Sequence, residues 1–199
     1  MKKTFYLMRH GQTLFNIRRK IQGACDSPLT EVGIKQALIA KKYFDNLDID
    51  HFYCSTAERA SDTLELIIGD QPYTRLKALK ERDHGTFEGE SEDLNPPPAA
   101  GYDNVLPFYG GETTEQIIDR AANACIEFME KEDHQNVLAV SHAGTCMTLL
   151  RHFLNEETDP KPKYFPDGFI NCTVLKFGYE NKTFTLEEII THDFSEIME

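Results

Sequence analysis

Three short apolar runs in this chain stop abruptly at polar residues, and that pattern limits the fold more than any other feature. Phe5-Tyr6-Leu7-Met8 runs into Arg9, Phe52-Tyr53-Cys54 into Ser55, and Val137-Leu138-Ala139-Val140 into Ser141. Runs of this length without alternation predict strands covered on both faces. Helical periodicity fills the sequence between them. Thr30 is placed to cap a helix whose Ile34, Ala37, Leu38, Phe44 and Leu47 share a face. Thr113 and Gln116 form a capping box ahead of Ile117, Ile118, Ala121, Ala122, Cys125, Phe128 and Met129. Further helices are predicted from Ala57 to Ile68, with Ala60, Leu64, Ile67 and Ile68 inward, and after Ala143. Strands alternating with helices imply an α/β fold: a three-layer sandwich around a mostly parallel sheet. Two β-rich runs between Phe169 and Thr191, around Gly178 to Lys182, predict a hairpin that adds an antiparallel edge. The 199 residues read as a single domain. Within it, Gly85 to Gly111 has no clear period, carries Pro96-Pro97-Pro98, and reads as a lid or substrate-loop excursion.

Charge and cysteine usage exclude several function classes. With 33 acidic and 21 basic side chains the net charge is −12, against the clustered Lys and Arg that nucleic acids and anionic membranes require. Five scattered cysteines, Cys25, Cys54, Cys125, Cys146 and Cys172, include no C-x-x-C pair and read as reduced thiols. The short apolar run after Met1-Lys2-Lys3-Thr4 reaches Arg9 and His10 too soon for a signal sequence, and no stretch is long enough to span a membrane. The expectation is a cytoplasmic protein; its oligomeric state has no signature here.

In an open α/β sheet, ligands bind beyond the carboxyl ends of the strands, and the unusual polar residues fall there. The first run delivers Arg9-His10-Gly11, the second leads through Ser55 toward Arg59, and the third delivers Ser141-His142-Ala143-Gly144. Two arginines can clamp non-bridging phosphoryl oxygens while one imidazole attacks phosphorus and the other stabilises the equatorial charge. Neighbouring cations favour the neutral imidazole that attack needs. A catalytic metal is not expected, since H-x-x-x-H and H-E-x-x-H spacings are missing and two arginines repel a cation. Arg18-Arg19-Lys20 reads as a solvated face or as long-range attraction for a phosphate; Cys54 and Cys146 read as buried thiols.

These residues stand within a longer series of motifs. Leu7-Met8-Arg9-His10-Gly11-Gln12-Thr13 and Asn16 are followed by Gln22-Gly23, Asp26-Ser27-Pro28-Leu29-Thr30, Gly33 and Gln36-Ala37. Then come Ser55, Arg59-Ala60, Thr63, Glu81-Arg82-Asp83-His84-Gly85, Phe87-Glu88-Gly89, Gly111-Glu112-Thr113 and Ser141-His142-Ala143-Gly144. In this order, and over most of its length, the chain resembles the histidine phosphatase superfamily, the phosphoglycerate mutase-like proteins. The resemblance implies that His10 becomes a phosphohistidine and that Arg9, Arg59 and His142 complete a phosphate pocket. It implies that Asn16 and the backbone around Ala143 add hydrogen bonds, and that Gln22 and Gly23 line the pocket. Glu81 takes the place of the carboxyl group that protonates the leaving oxygen and later activates water, with Asp83 a rival two residues away.

The family holds both phosphatases and mutases. A mutase must grip a second anionic group, yet Gly85 to Gly111 contains no Lys or Arg and carries Glu88, Glu90, Glu92, Asp93 and Asp103. The expectation is therefore a phosphatase acting on a small phosphorylated substrate without cofactor. Phe87, Tyr102, Phe108 and Tyr109 in the same loop suggest a distal substrate part that is neutral, aromatic or cationic. The alternatives are a phosphoglycerate mutase, which would call on 2,3-bisphosphoglycerate, and a non-catalytic module that binds phosphorylated ligands.

Overall fold

The protein was analysed as a computed structural model that describes residues 2–97, 100–156, 159–166 and 168–197. Its strands are β1 (Lys3–Arg9), β2 (His51–Ser55), β3 (Thr74–Leu76), β4 (Asn136–Ser141), β5 (Val174–Glu180) and β6 (Thr183–Ile190). Its helices are α1 (Leu14–Ile17), α2 (Glu31–Phe44), α3 (Glu58–Ile68), α4 (Tyr102–Val105), α5 (Thr114–Met129), α6 (Ala143–Phe153) and α7 (Lys161–Tyr164). The strands form one sheet in the order β3-β2-β4-β1-β5-β6. Pairing is parallel from β3 to β1 and antiparallel at β1–β5 and β5–β6, so the predicted mixed α/β sheet is present. No helix among the described residues is long and apolar enough to cross a membrane.

Alternation along the central strands sorts the core into two halves. Phe5 and Leu7 of β1, Val137 and Ala139 of β4 and Leu175 and Phe177 of β5 pack beneath α5 and α6. Their neighbours Tyr6, Met8, Leu138, Val140 and Val174 pack beneath α2 and α3. The apolar runs are unbroken because both faces of each strand are covered.

Thr30 caps α2 by accepting the Gly33 N–H at 3.0 Å, and the Thr113–Gln116 box caps α5. The inward face of α2 differs from its predicted one: Gly33, Gln36, Ala37, Ala40 and Phe44 are buried, whereas Ile34 and Leu38 are 40% and 44% exposed. The reason is close approach. A Cβ on Gly33 would lie 2.0 Å from the Gln12 carbonyl oxygen, and one on Gly11 would lie 2.6 Å from the Gly33 oxygen. Small residues therefore face the loop after β1, and the larger ones turn outward. The hairpin reverses at Asn181 and Lys182, both in the left-handed region (φ 50° and 60°), while Gly178 lies inside β5 opposite Thr4. The short β3 pairs with β2 at the opposite edge; its exposed Thr74 and Arg75 gave it no apolar signature.

Residues 85–111 form a run of short turns and the one-turn α4; Pro98 of the triple proline lies outside the described residues. The segment is laced to the loop after α1. Ile21 N–H donates to Glu90 O and Gly89 N–H to Ile21 O, both at 2.9 Å, and Glu92 N–H donates to Arg19 O at 2.9 Å. Arg19 also pairs with Asp93 at 3.0 Å and Glu92 at 3.6 Å. Of the basic cluster, then, Arg19 is a tether for this segment. Phe108, Tyr109 and Tyr102 of the segment stay 86%, 49% and 40% exposed.

The contact of Gly33 with the loop after β1 generates a test. Gly33→Ala must push Gln12 aside, and is expected to cost about 2 kcal/mol in urea unfolding and to lower turnover through displacement of the adjacent His10.

Candidate active site

Register builds the site. Arg9 of β1 is paired with Ser141 of β4, so the residues that follow, His10 and His142, leave neighbouring strand ends side by side. Their ring centroids are 5.2 Å apart at an interplanar angle of 62°. Both side chains are buried, at 4% and 0% exposure. Arg59 reaches them from the first turn of α3 and is itself 0% exposed. Its Nε–H is shared between His10 Nε2 at 3.3 Å and His142 Nδ1 at 3.1 Å.

These contacts define the tautomers. His10 Nδ1 lies 2.7 Å from the Gly11 carbonyl oxygen, an acceptor, so Nδ1 carries the proton and Nε2 keeps its lone pair. His142 accepts through Nδ1, so its Nε2 carries the proton, and that buried atom has no partner among the described residues. The Arg9 Nε–H is likewise buried and unpartnered, although the same guanidinium donates to the Phe169 carbonyl. Two unmet donors flanking an unprotonated imidazole nitrogen are what a bound anion would satisfy. Burial, reinforced by Arg59 and Arg9, drives the His10 pKa well below its ordinary value; burial and Arg59 do the same to His142.

Arg59 is held in turn by one loop. Its terminal nitrogens donate to Cys25 O (2.9 Å), Asp26 Oδ1 (2.8 Å) and Gly23 O (3.0 Å). The loop is organised around Glu88, whose carboxylate accepts the N–H groups of Gly23, Ala24, Cys25 and His84 at 2.8–3.1 Å. Burial alone would raise the pKa of Glu88; hydrogen bonds involving His84 and Cys25 outweigh it and hold the carboxyl well below the usual range. Thr63 links α3 to the loop after β1, accepting from Gly11 N–H at 3.0 Å and donating to Arg59 O at 2.7 Å.

Glu81 is 9% exposed and sits at the start of α6. Its carboxylate accepts from Gly144 N–H (2.7 Å), Thr145 N–H (2.9 Å), Thr145 Oγ (3.2 Å) and Arg82 N–H (2.8 Å). It supplies the cap that His142 does not. Gly144 permits the approach, since a Cβ there would lie 2.6 Å from Glu81 Oε1. Of the first-turn amides, Ala143 N–H is left without a partner among the described residues. Asp83, the rival carboxylate, turns to the backbone: its Oδ1 accepts from Gly85 N–H at 2.7 Å.

The remaining predicted residues divide. Asn16 Oδ1 is taken by Thr13 N–H (3.0 Å) and Asn171 Nδ2 (3.3 Å), which leaves the Asn16 NH₂ as the donor. Gln22 is a tie, accepting from Thr13 Oγ at 2.8 Å and donating to Ser27 Oγ at 3.0 Å, and Gly23 contributes its carbonyl to Arg59. Neither offers a side-chain donor in the way Asn16 does. Sequence reasoning assigned no role to Asn171, which donates to the His10 carbonyl at 3.0 Å, or to Asp26 and Glu88. The last two lay inside recognised motifs, which was the available signal; Asn171 lay in no motif. Cys54 and Cys146 are buried thiols whose pKa burial raises, that of Cys54 to about 12. Beside the site, a groove of about 480 Å³ is lined by Gln12, Gln36, Phe169, Ile170, His192 and Phe194 together with Arg9 and Asn171.

The acidic reading of residues 85–111 needs correction. Glu88 is spent on backbone amides, Glu92 and Asp93 on Arg19, and Asp103 on Arg82 and Thr114. These four acids are structural, and the fifth, Glu90, is exposed. Cations on this side are committed as well: Arg82 to Asp103 and Glu112 O, Arg120 to Glu112 and to the carbonyls of Ala78, Lys80 and Glu81.

Two outcomes follow from this geometry. Glu88→Gln leaves buried amides facing an NH₂ group, and is expected to cost about 3 kcal/mol of stability and to lower kcat/KM because Arg59 loses its frame. Histidines that stay neutral when folded but bind protons when unfolded make stability fall as pH drops below about 6.5. The slope approaches about 1.4 kcal/mol per pH unit for each histidine. The histidines' contribution to stability is complete above that pH and is lost toward the folded pKa, so urea titrations of His142→Gln should show a shallower acid decline than the parent.

Comparison with known proteins bears on the family. The chain is 28% identical over 96% of its length to 6-phosphofructo-2-kinase/fructose-2,6-bisphosphatase 3 of Bos taurus, of which it spans only 42%. It is 32% identical, over 72% of its length and 65% of the relative, to the metal-independent phosphoserine phosphatase of Arabidopsis thaliana. Its fold superposes on phosphoglycerate mutase from Bacillus anthracis str. Sterne with a TM-score of 0.80, at 25% identity, covering 98% of this chain and 94% of the other. The family model of the histidine phosphatase superfamily (branch 1) matches residues 5–191, and the chain belongs to that family.

Proposed function

We propose that the chain is a phosphomonoester phosphatase that works through a phosphohistidine on His10. The observation that carries this reading is the His10 imidazole itself: its Nδ1 proton is anchored on Gly11 O, and its unprotonated Nε2 takes only the long 3.3 Å share of the Arg59 Nε–H, beside His142. A non-reactive binding site gains nothing from a desolvated neutral nucleophile.

In the first step His10 Nε2 forms a bond to phosphorus as the phosphorus–oxygen bond to the alcohol breaks. Glu81 gives its proton to the departing oxygen. Arg9, Arg59 and the His142 Nε2–H hold the three equatorial oxygens, with Asn16 NH₂ and Ala143 N–H adding donors. In the second step water attacks phosphorus, Glu81 takes the water's proton, and the nitrogen–phosphorus bond breaks to release phosphate and restore His10. Glu81 is preferred to Asp83 because it lies against the turn after His142, whereas Asp83 is tied to the backbone. Each step closes without a metal or other cofactor, as the name of the Arabidopsis relative says of that protein.

Hydrolysis is favoured over mutase transfer because residues 85–111 bring no Lys or Arg and the nearby Arg82 and Arg120 are already paired. Neither of these two guanidinium groups is available to grip a second phosphate or carboxylate. The groove of Phe169, Ile170 and Phe194 with the amides of Gln12 and Gln36 suits a neutral, partly apolar alcohol. Five unpaired thiols fit a reducing cytoplasm.

A panel of phosphomonoesters separates the readings. The expected result is release of inorganic phosphate, fastest for esters of uncharged alcohols, and loss of at least about 10⁴-fold in kcat for His10→Ala. Interconversion of phosphoglycerates that needs 2,3-bisphosphoglycerate and outpaces hydrolysis would establish the mutase instead. The acidic limb of kcat/KM belongs below pH 6.5, since the depressed His10 pKa keeps the nucleophile unprotonated there.

A further inference from the structure

At the opposite end of the sheet from His10, His51 opens β2 and His134 lies two residues before β4. Their rings stack with centroids 3.5 Å apart at 14°. Asp133 faces both: its Oδ1 is 2.8 Å from His134 Nδ1 and its Oδ2 is 3.4 Å from His51 Nε2. The three ligand atoms lie within 4.8 Å of one another. No step proposed for the phosphoryl pocket uses any of them.

From this arrangement we propose a structural site for a zinc-type divalent cation, bound by His51 Nε2, His134 Nδ1 and Asp133 with water in the fourth position. Tetrahedral zinc holds N and O ligands at 2.0–2.2 Å, which places them about 3.3 Å apart. The two contacts to Asp133, at 3.4 and 2.8 Å, already have nearly that separation. Both imidazole nitrogens face one carboxylate; a cation there requires His51, at 33% side-chain exposure, to tilt out of the stack and Asp133, at 72%, to shift aside.

The outer partners complete the case. His51 Nδ1 is 3.0 Å from Asp50 Oδ1, and Asp50 Oδ2 is fixed by Gln135 and Asn136 N–H at 2.8 Å each. His134 Nε2 is 2.7 Å from Tyr53 Oη, which also accepts from Lys131 Nζ at 3.1 Å. Each imidazole thus has its far nitrogen pinned by an oxygen, the arrangement that orients metal-ligating histidines. On binding, the His134 proton moves from Nδ1 to Nε2 and is donated to the Tyr53 oxygen; His51 already has its proton on the Asp50 side. Lys131 opposes the cation, and the carboxylates of Asp50 and Asp133 outweigh it. A cation here would staple the start of β2 to the turn before β4, well away from the nucleophile.

The test uses the untagged, chelator-treated protein titrated calorimetrically with zinc chloride, with cobalt(II) as a spectroscopic probe. The parent is expected to bind one zinc per chain, to show the intense visible absorption of four-coordinate cobalt, and to rise in Tm with zinc concentration. His51→Ala, at a half-buried position, and Asp133→Asn, at an exposed one, should weaken binding by at least about tenfold and abolish the Tm response. Phosphate release in chelator should be equal in all three. Absence of zinc binding at sub-millimolar concentration, or equal binding by the parent and both variants, would overturn the site and mark the cluster as a hydrogen-bonded histidine pair only.

Discussion

A fully buried arginine is the constraint around which the rest of the structure is arranged. An isolated cation in a protein interior costs several kcal/mol and survives only when its hydrogen bonds are met. Arg59 meets that condition through Gly23 O, Cys25 O and Asp26 on one side and the two histidines on the other. The 23–26 loop must therefore be in place before the histidines can be. That loop is organised by Glu88, and the segment that carries Glu88 is laced to residues 19–21. An apparently peripheral excursion is thereby part of the frame of the reaction centre.

The same arrangement reconciles a net charge of −12 with an anionic substrate. Arg9 and Arg59 sit in a low-dielectric pocket, where a charge acts more strongly than at the surface. His10 and His142 beside them are pushed toward neutrality, so the positive charge stays on the guanidinium groups, of which Arg59 is paired with Asp26. Of the acids in residues 88–103, Glu88, Glu92, Asp93 and Asp103 are paired off with backbone amides or with Arg19 and Arg82. Net charge describes the molecular surface; the pocket's field is set by two residues.

The fold and the reaction centre were legible in the sequence to the extent that they depend on local patterns. Apolar runs marked β1, β2 and β4 because burial on both faces leaves no polar residue in the strand, and polar residues at their ends marked His10 and His142. Caps at Thr30 and Thr113 are local hydrogen bonds that their neighbours announce. Long-range ties were silent. Asn171 holds the His10 carbonyl from 161 residues away, and Glu88 looked like one more surface acid. The face of α2 was misjudged because hydrophobicity points to Ile34 and Leu38, while backbone contact between Gly33 and Gln12 decides the rotation. The short β3 is an edge strand, and edge strands with solvent-facing residues carry little apolar signal.

The central claim is that His10 rests as a neutral imidazole with its proton on Nδ1, held by Gly11 O, so that Nε2 is ready to attack. Long-range ¹H–¹⁵N NMR of the histidine side chains, assigned with His10→Gln and followed across pH, tests it most directly. The account predicts a protonated Nδ1 and a bare Nε2 that persist well below pH 6.5. An imidazolium at neutral pH, or a proton resident on Nε2, would contradict it.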